Sequence, residues 1–107
     1  MKILHLTLKK EPFDVMIIGE KVNEYRKYTP WLKSRLYYPD MRIKEYDIVR
    51  FKNGYKKDSP AFDVEYNYFE FSPITITHTY SSGFTFTVKK NDICIHLGKV
   101  LKTYNIK

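Results

Sequence analysis

The chain of 107 residues contains one cysteine and no apolar run that approaches the roughly 20 residues of a membrane-spanning helix. The single cysteine, Cys94, excludes an internal disulfide framework and a cysteine-rich zinc site. The first residues, Met1–His5, lack the long apolar run of a signal peptide. We therefore expect an intracellular, cytoplasmic protein with no membrane partner. Its length fits one compact domain and is short for two.

Acidic residues are fewer than basic ones. The chain contains 12 Asp and Glu and 19 Lys and Arg, which gives a formal net charge of +7. Lys, Asn, Ile, Tyr and Phe are all abundant, as expected for a genome dominated by AT-rich codons, and such codon usage would account for part of the lysine excess. The position of the charge is more informative. Residues 20–57 hold eleven basic and five acidic residues, for a net +6, together with all four arginines and eight aromatic residues.

Basic residues interleaved with aromatic ones are typical of surfaces that bind single-stranded nucleic acid. Cations neutralise phosphates, and aromatic rings stack on unpaired bases for about 1–3 kcal/mol each. The alternative is that the rings belong to the core and the lysines form a solvated rim, with their stems covering apolar surface. The clustering predicts an anionic partner and does not say which one.

The first forty residues predict one strand and two short helices. Alternating leucines favour the strand, and a proline in the first turn with Gly19 after the last turn favours the first helix. Thr29 followed by Pro30 is a helix-start signal, with Thr as the N-cap. The predicted elements are a strand at residues 2–8, a helix from Pro12 to about Ile18, an extended or turn-like segment at 21–26 and a helix that begins at Thr29-Pro30 and ends near Pro39.

From Asp47 onward the hydrophobic period changes to two, which indicates β-structure. Asn53-Gly54 is a strong hairpin signal, and Gly98 predicts a bulge in the last strand. The predicted strands lie at residues 48–51, 61–71, 74–79, 84–88 and 93–104. We expect a mainly β, α+β fold, in which five or six strands form a small barrel with two short helices, as a single domain over residues 1–107.

The densest polar cluster is the segment from Gly19 to Arg26. If it is extended, Glu24 and Arg26 share a face, and a turn near Gly19 brings Lys21 beside them. Such a group can hold a phosphate and read a base edge. Alternatively, a neighbouring arginine lowers the pKa of Lys21, which then acts as nucleophile or base with Glu24 as its proton partner. The third interpretation is a surface ion pair worth less than about 1 kcal/mol.

The spacing Gly19-x-Lys21-x-x-Glu24-x-Arg26 resembles the GxKxxExR signature of the activating signal cointegrator homology (ASCH) domains, which have a PUA-like β-barrel fold. The blocks that flank it are similar as well. They are His5-x-x-Leu8-Lys9 with Phe13, Thr29-Pro30-Trp31 with Arg35-Leu36, Tyr46 to Tyr55, and Ile95 to Leu101. The resemblance covers nearly the whole chain and points to a small single-domain branch of the family.

The resemblance implies a cleft beside the first helix, where Lys21, Glu24 and Arg26 meet and bind RNA or a nucleotide without a cofactor. The further candidate contacts are Tyr25, His5, Lys9, Tyr55 and Lys56.

A few members of the family are enzymes, so the alternative is a small metal-independent hydrolase that acts on RNA or a modified nucleoside, with Lys21 and Glu24 as catalytic residues. A ribonuclease is favoured over an amidohydrolase. The amidohydrolase branch has a threonine in place of Glu24 and a catalytic glutamate without a counterpart here.

The remaining candidates have simpler interpretations. The three histidines are too scattered in sequence to predict a metal site. Cys94, between two isoleucines, is typical of a buried core residue, and Trp31 is interpreted as core rather than as a base-stacking residue. A third functional class is an accessory protein, viral by its size and codon usage, that binds a host protein through the barrel.

Overall fold

A computed structural model describes residues 1–106, and its elements follow the predicted order. They are β1 Ile3–Thr7, α1 Lys10–Ile17, β2 Asn23–Arg26, α2 Pro30–Leu36, β3 Ile48–Lys52, β4 Ala61–Phe71, β5 Ile76–Thr79, β6 Thr85–Val88 and β7 Ile93–Tyr104. The prediction of a mainly β, α+β fold with two short helices is confirmed. The predicted bounds of β4 and β7 match the structure.

Five strands form one curled sheet in the order β1-β3-β4-β7-β2, and β5 pairs with β6 in a separate two-stranded sheet. Strands β1 and β3 are parallel, and the other pairs are antiparallel. The two long strands, β4 and β7, contain several register shifts, and such bulges bend and twist a sheet. The result is a half-barrel with β1 and β2 as its edge strands, and β2 is the second half of the signature segment.

The bulge predicted at Gly98 is confirmed, because the register between β4 and β7 shifts around this residue. A side chain at Gly98 has no room, since a Cβ built there would lie 2.9 Å from Glu65 Cβ and 2.7 Å from Glu65 Oε1. The backbone N–H of Lys99 donates to Glu65 Oε1 at 2.9 Å. The glycine therefore allows the carboxylate of one strand to satisfy the bulged backbone of the other.

The core lies between the curled sheet and the two helices. Phe62 of β4 is fully buried, and its ring centroid lies 5.0 Å from that of Phe13 on α1 and 5.4 Å from that of Phe51 on β3. Burial of one such side chain stabilises a fold by about 1.5–3 kcal/mol. These contacts fix α1 against the sheet, and the two ends of α1 carry Lys9 and the signature segment.

Helix α2 begins as predicted. Thr29 is the N-cap, with Oγ1 accepting a hydrogen bond from the backbone N–H of Leu32 at 3.2 Å, and Pro30 occupies the first helical position. The helix ends at Leu36, ahead of the end predicted near Pro39, because Tyr37 already has an extended backbone.

The connection between β3 and β4 differs from the expected tight hairpin. It is an eight-residue loop, 53–60, closed by a hydrogen bond from the N–H of Asn53 to the carbonyl of Pro60 at 2.9 Å. Gly54 has a positive φ of 128°, and a Cβ there would lie 2.7 Å from Ser59 Oγ. The Asn53 side chain donates to the carbonyl of Leu8 at 2.9 Å. Asn-Gly therefore anchors the loop to the end of β1 instead of forming a two-residue turn.

Neither helix within residues 1–106 is long and apolar enough to cross a membrane. The same part of the chain contains no cluster of three or more His, Cys, Asp or Glu residues that is suited to a metal ion.

Candidate functional site

The signature segment turns back on α1 and then enters the sheet. Gly19 has a positive φ of 83°, a conformation that glycine adopts without steric cost. The backbone N–H groups of Glu20 and Lys21 both donate to the carbonyl of Val15, at 3.1 and 3.0 Å. The chain then becomes extended as β2. The predicted turn and extended segment are confirmed, and they place Lys21 beside Glu24.

One carboxylate holds both cations of the signature. Lys21 Nζ lies 3.1 Å from Glu24 Oε1, and Arg26 Nε lies 3.0 Å from Glu24 Oε2. The backbone N–H of Tyr25 also donates to Glu24 Oε1 at 3.1 Å. Lys21 and Glu24 are only 3% and 4% exposed. The interpretation as a surface ion pair is therefore wrong, because the pair is buried.

Lys21 is fully engaged inside the protein. Its Nζ donates to the carbonyl of Asn23 and to Glu24, and it lies 5.3 Å from the centroid of the Tyr25 ring. Burial lowers the pKa of Lys21, while the charge of Glu24 and its hydrogen bond oppose this shift. Every buried side-chain N or O atom of the described residues has a partner. Lys21 thus acts mainly as the internal partner of Glu24.

Arg26 joins the two edges of the half-barrel. It lies on β2, and its Nη2 donates to the carbonyl of Thr7, the last residue of β1. Nε of the same guanidinium donates to Glu24 Oε2. The side chain remains 24% exposed, and within residues 1–106 its Nη1 makes no hydrogen bond. Arg26 therefore bridges the two edge strands and still presents a cationic edge outward.

A cleft of about 650 Å³ opens at this edge, between the start of α1, β2 and α2. Four cations and one carboxylate give its lining a net charge of +3, which favours an anionic ligand. The charged lining residues are Lys9, Lys21, Glu24, Arg26 and Lys27, and the aromatic ones are Tyr25, Trp31 and Phe86.

The interpretation of Trp31 as a core residue is wrong. Its side chain is 48% exposed and lines the cleft, while Arg35 Cζ lies 5.1 Å from its ring centroid. Leu32 and Leu36, four residues apart, form the buried face of α2. Trp31 lies about 100° around the helix from Leu32. The spacing of the two leucines is the sequence signal that could have placed Trp31 outside the core.

Tyr25 is covered by the arm, which is our name for residues 74–88 with strands β5 and β6. Its ring stacks on His78 at 5.1 Å and on Phe86 at 6.0 Å between centroids. Glu20 fixes the tip of the arm by accepting hydrogen bonds from Ser81 N at 3.0 Å and Ser81 Oγ at 2.9 Å. The sequence analysis missed these contacts because about sixty residues separate the partners along the chain.

The structure brings together five of the eight predicted site residues, namely Lys9, Lys21, Glu24, Tyr25 and Arg26. The other three do not line the cleft. His5 is exposed on β1 opposite Arg50, and Tyr55 and Lys56 are exposed in the loop 53–60. The exposed side of β1 and the loop 53–60 thus lie outside the lining of the cleft.

Comparison of the chain with protein-family models, curated proteins and solved structures finds no match. The assignment of the site therefore depends on its own geometry.

Cys94 is buried as expected, at 6% exposure, next to the signature strand. Burial raises the pKa of its thiol to about 11, and the charge of Glu70 adds to the shift. Its Sγ lies 3.6 Å from His96 Nε2, which is 3.0 Å from Glu70 Oε2. A thiol with this pKa stays protonated at neutral pH, so Cys94 is not an activated nucleophile.

The raised pKa of Cys94 predicts a loss of stability in alkali. The folded protein keeps the thiol proton to about pH 11, whereas the unfolded chain releases it near pH 9. The contribution of the buried thiol to the free energy of unfolding is complete below pH 9 and is lost as the pH rises toward 11. We expect the difference in free energy of unfolding between wild type and Cys94→Ala to shrink by about 2 kcal/mol over this range.

Urea denaturation at pH 8 to 11 measures this difference. Lys21 acts in the opposite direction, because its lowered pKa makes the free energy of unfolding rise with pH below the ordinary lysine pKa of 10.5. It is present in both proteins, so its effect largely cancels in the comparison. A difference that does not change with pH would contradict the prediction.

Proposed function

We propose that the chain is an ASCH-type domain with a PUA-like fold that binds single-stranded RNA or a nucleotide in this cleft. The observation that carries the proposal is that four cations, one carboxylate and three aromatic rings line a single cavity of about 650 Å³. Cations supply affinity for phosphate, and an exposed aromatic ring gives an unpaired base a surface for stacking. The signature residues lie at the base of the cavity.

We assign the contacts with the ligand to lining residues whose charged group or ring is exposed to solvent. The Nη1 edge of Arg26 and the exposed ammonium groups of Lys9 and Lys27 face phosphate, and Trp31 stacks on a base. Lys21 and Glu24 are positioning residues in this proposal. Glu24 Oε1 accepts from Lys21 Nζ and from the backbone N–H of Tyr25, and Glu24 Oε2 accepts from Arg26 Nε, so the fixed carboxylate holds the guanidinium in one orientation.

Fluorescence polarisation with a labelled single-stranded RNA, repeated over a series of salt concentrations, tests the proposal. We expect the logarithm of the association constant to fall linearly with the logarithm of the salt concentration. Lys27→Gln should reduce this slope by about 0.7, the value for one phosphate contact on a single strand. Lys57→Gln is the matched control, since Lys57 is exposed in the loop 53–60 outside the cleft. A response that does not depend on salt would contradict the proposal.

Trp31→Ala tests the stacking contact. Loss of one base–aromatic stack costs about 1–3 kcal/mol, which corresponds to roughly a 5- to 150-fold weaker affinity. The fold should be unaffected, because the ring is half exposed. Tyr55→Ala is the control, because Tyr55 is 91% exposed and lies outside the cleft. Competition with a mononucleotide distinguishes a nucleotide site from one that requires a strand.

The second candidate function is a metal-independent ribonuclease, and the lowered pKa of Lys21 beside a carboxylate favours it. The position of Lys21 opposes it, because the side chain is 2% exposed and the Tyr25 ring covers its amine. We expect RNA to stay intact when it is incubated with the protein in EDTA. Cleavage that disappears in Lys21→Met, with an unchanged circular dichroism spectrum, would replace the binding proposal with the hydrolase.

A further inference from the structure

Helix α2 separates the cleft from a second depression of about 440 Å³. Thr29, Trp31 and Leu32 at the start of α2 line the cleft. Residues on the opposite side of the same helix line the depression. The diameter of one helix, about 10 Å, therefore separates the two cavities. The residues that line the depression are Pro30, Lys33, Ser34, Tyr37, Tyr38, Pro39, Met41 and Lys44.

Cationic groups lie on aromatic rings along this path. Arg42 Cζ is 4.8 Å and Lys44 Nζ is 5.3 Å from the centroid of the Tyr38 ring. Arg42 Nε donates to Asp40 at 2.7 Å, and Lys44 Nζ donates to the carbonyl of Ser34 at 2.9 Å. These contacts orient both side chains toward the Tyr38 ring, although the exposed pair of Arg42 with Asp40 contributes less than about 1 kcal/mol. A guanidinium plane held on a ring offers its other face for stacking with a base.

The charge of this region fits a polyanion. Residues 30–44 contain four basic residues and one acidic residue, a net charge of +3. Residues 71–88, which include the arm on the other side of the cleft, contain no Asp, Glu, Lys or Arg. The field therefore draws an anionic chain from the cleft across α2 and not across the arm.

We propose that a strand bound in the cleft continues over α2 into the depression, so that the protein has a second RNA subsite. We call this the α2 subsite and define it by Lys33, Tyr38 and Lys44, which line the depression, and by Arg42, which lies against the Tyr38 ring. The inference rests on the proposed function and deepens it, because it makes the ligand a single strand of several nucleotides instead of a free nucleotide. Contacts to phosphate and stacking on cationic planes make the subsite tolerant of sequence.

The test compares two labelled single-stranded RNAs. One has about three nucleotides, fewer than the roughly 4–16 that one OB-fold domain covers, and the other has about nine, which lies within that range. We expect the longer RNA to bind at least about tenfold more tightly. Its salt slope should be steeper by roughly 2, because about three further phosphates each add about 0.7. Equal affinities and equal slopes for the two lengths would overturn the α2 subsite and leave the cleft proposal intact.

A double variant, Lys33→Gln with Lys44→Gln, removes the two cations that line the depression and locates the effect. It should weaken binding of the longer RNA about tenfold and leave the shorter RNA unchanged. The control is Lys89→Gln with Lys90→Gln, which removes the same charge from exposed positions outside both cavities. An equal loss for both RNAs, or for variant and control, would overturn the subsite. Failure of both RNAs to bind to the wild type would overturn the proposed function as well.

Discussion

Glu24→Ala should lower the free energy of unfolding by about 3–5 kcal/mol, because it leaves a buried cation without its partner. Lys21 is 3% exposed and would keep only the carbonyl of Asn23 and the face of the Tyr25 ring. Arg26 would lose the carboxylate that fixes it against Thr7. A loss of this size is a large share of the 5–15 kcal/mol typical of a folded domain.

Two further variants show whether the buried charge is the cause. Lys21→Met combined with Glu24→Gln removes both charges with little change in volume, and it should be clearly more stable than Glu24→Ala. Glu70→Ala is the control for an exposed pair, since its side chain is 47% exposed and contacts His96, and it should change stability by less than about 1 kcal/mol. Urea denaturation measures all three. Equal losses for Glu24→Ala and Glu70→Ala would show that the buried ion cluster does not stabilise the fold.

The conformation of the signature segment was predictable because its determinants are local. A glycine with positive φ ends the turn after α1, and the period of two puts Glu24 and Arg26 on one face of β2. The burial of Lys21 and Glu24 was not predictable from their own segment. Glu24 lies opposite Ile95 of β7, and the arm stacks on Tyr25, whose ring lies over the Lys21 amine. Local patterns fix which side chains meet, and distant segments decide whether water reaches them.

The longest strands were also predictable. Apolar and polar side chains alternate along most of the eleven residues of β4, and the twelve residues of β7 contain no proline and no turn signal apart from the bulge at Gly98. The connection at Asn53-Gly54 was predicted at the right place and with the wrong geometry. A hydrogen bond to Leu8, 45 residues away in sequence, holds Asn53, and Ser59 limits the space at Gly54. Turn propensity records the local preference of two residues, and here tertiary contacts determine the loop.

Phe62→Ala should cost about 3–5 kcal/mol, as is typical when a buried phenylalanine is removed from a core. The ring is fully buried and contacts the rings of Phe13 and Phe51. For a domain of this size, each 1 kcal/mol lowers the midpoint of thermal unfolding by about 4–8 °C. Phe62→Leu keeps most of the volume and should cost less, about 1.5 kcal/mol.

The same variant tests whether the core supports the cleft. Phe62 holds α1 through Phe13, and the carbonyl of Val15 on α1 accepts hydrogen bonds from the backbone N–H groups of Glu20 and Lys21. Phe62→Ala should therefore accelerate amide hydrogen exchange at Glu20 and Lys21 under conditions where the variant is still folded. Phe62→Leu should leave both rates close to wild type. If exchange at these amides is unchanged in Phe62→Ala while its stability falls, the signature segment keeps its position independently of the aromatic core, and the turn at Gly19 alone determines where Lys21 lies.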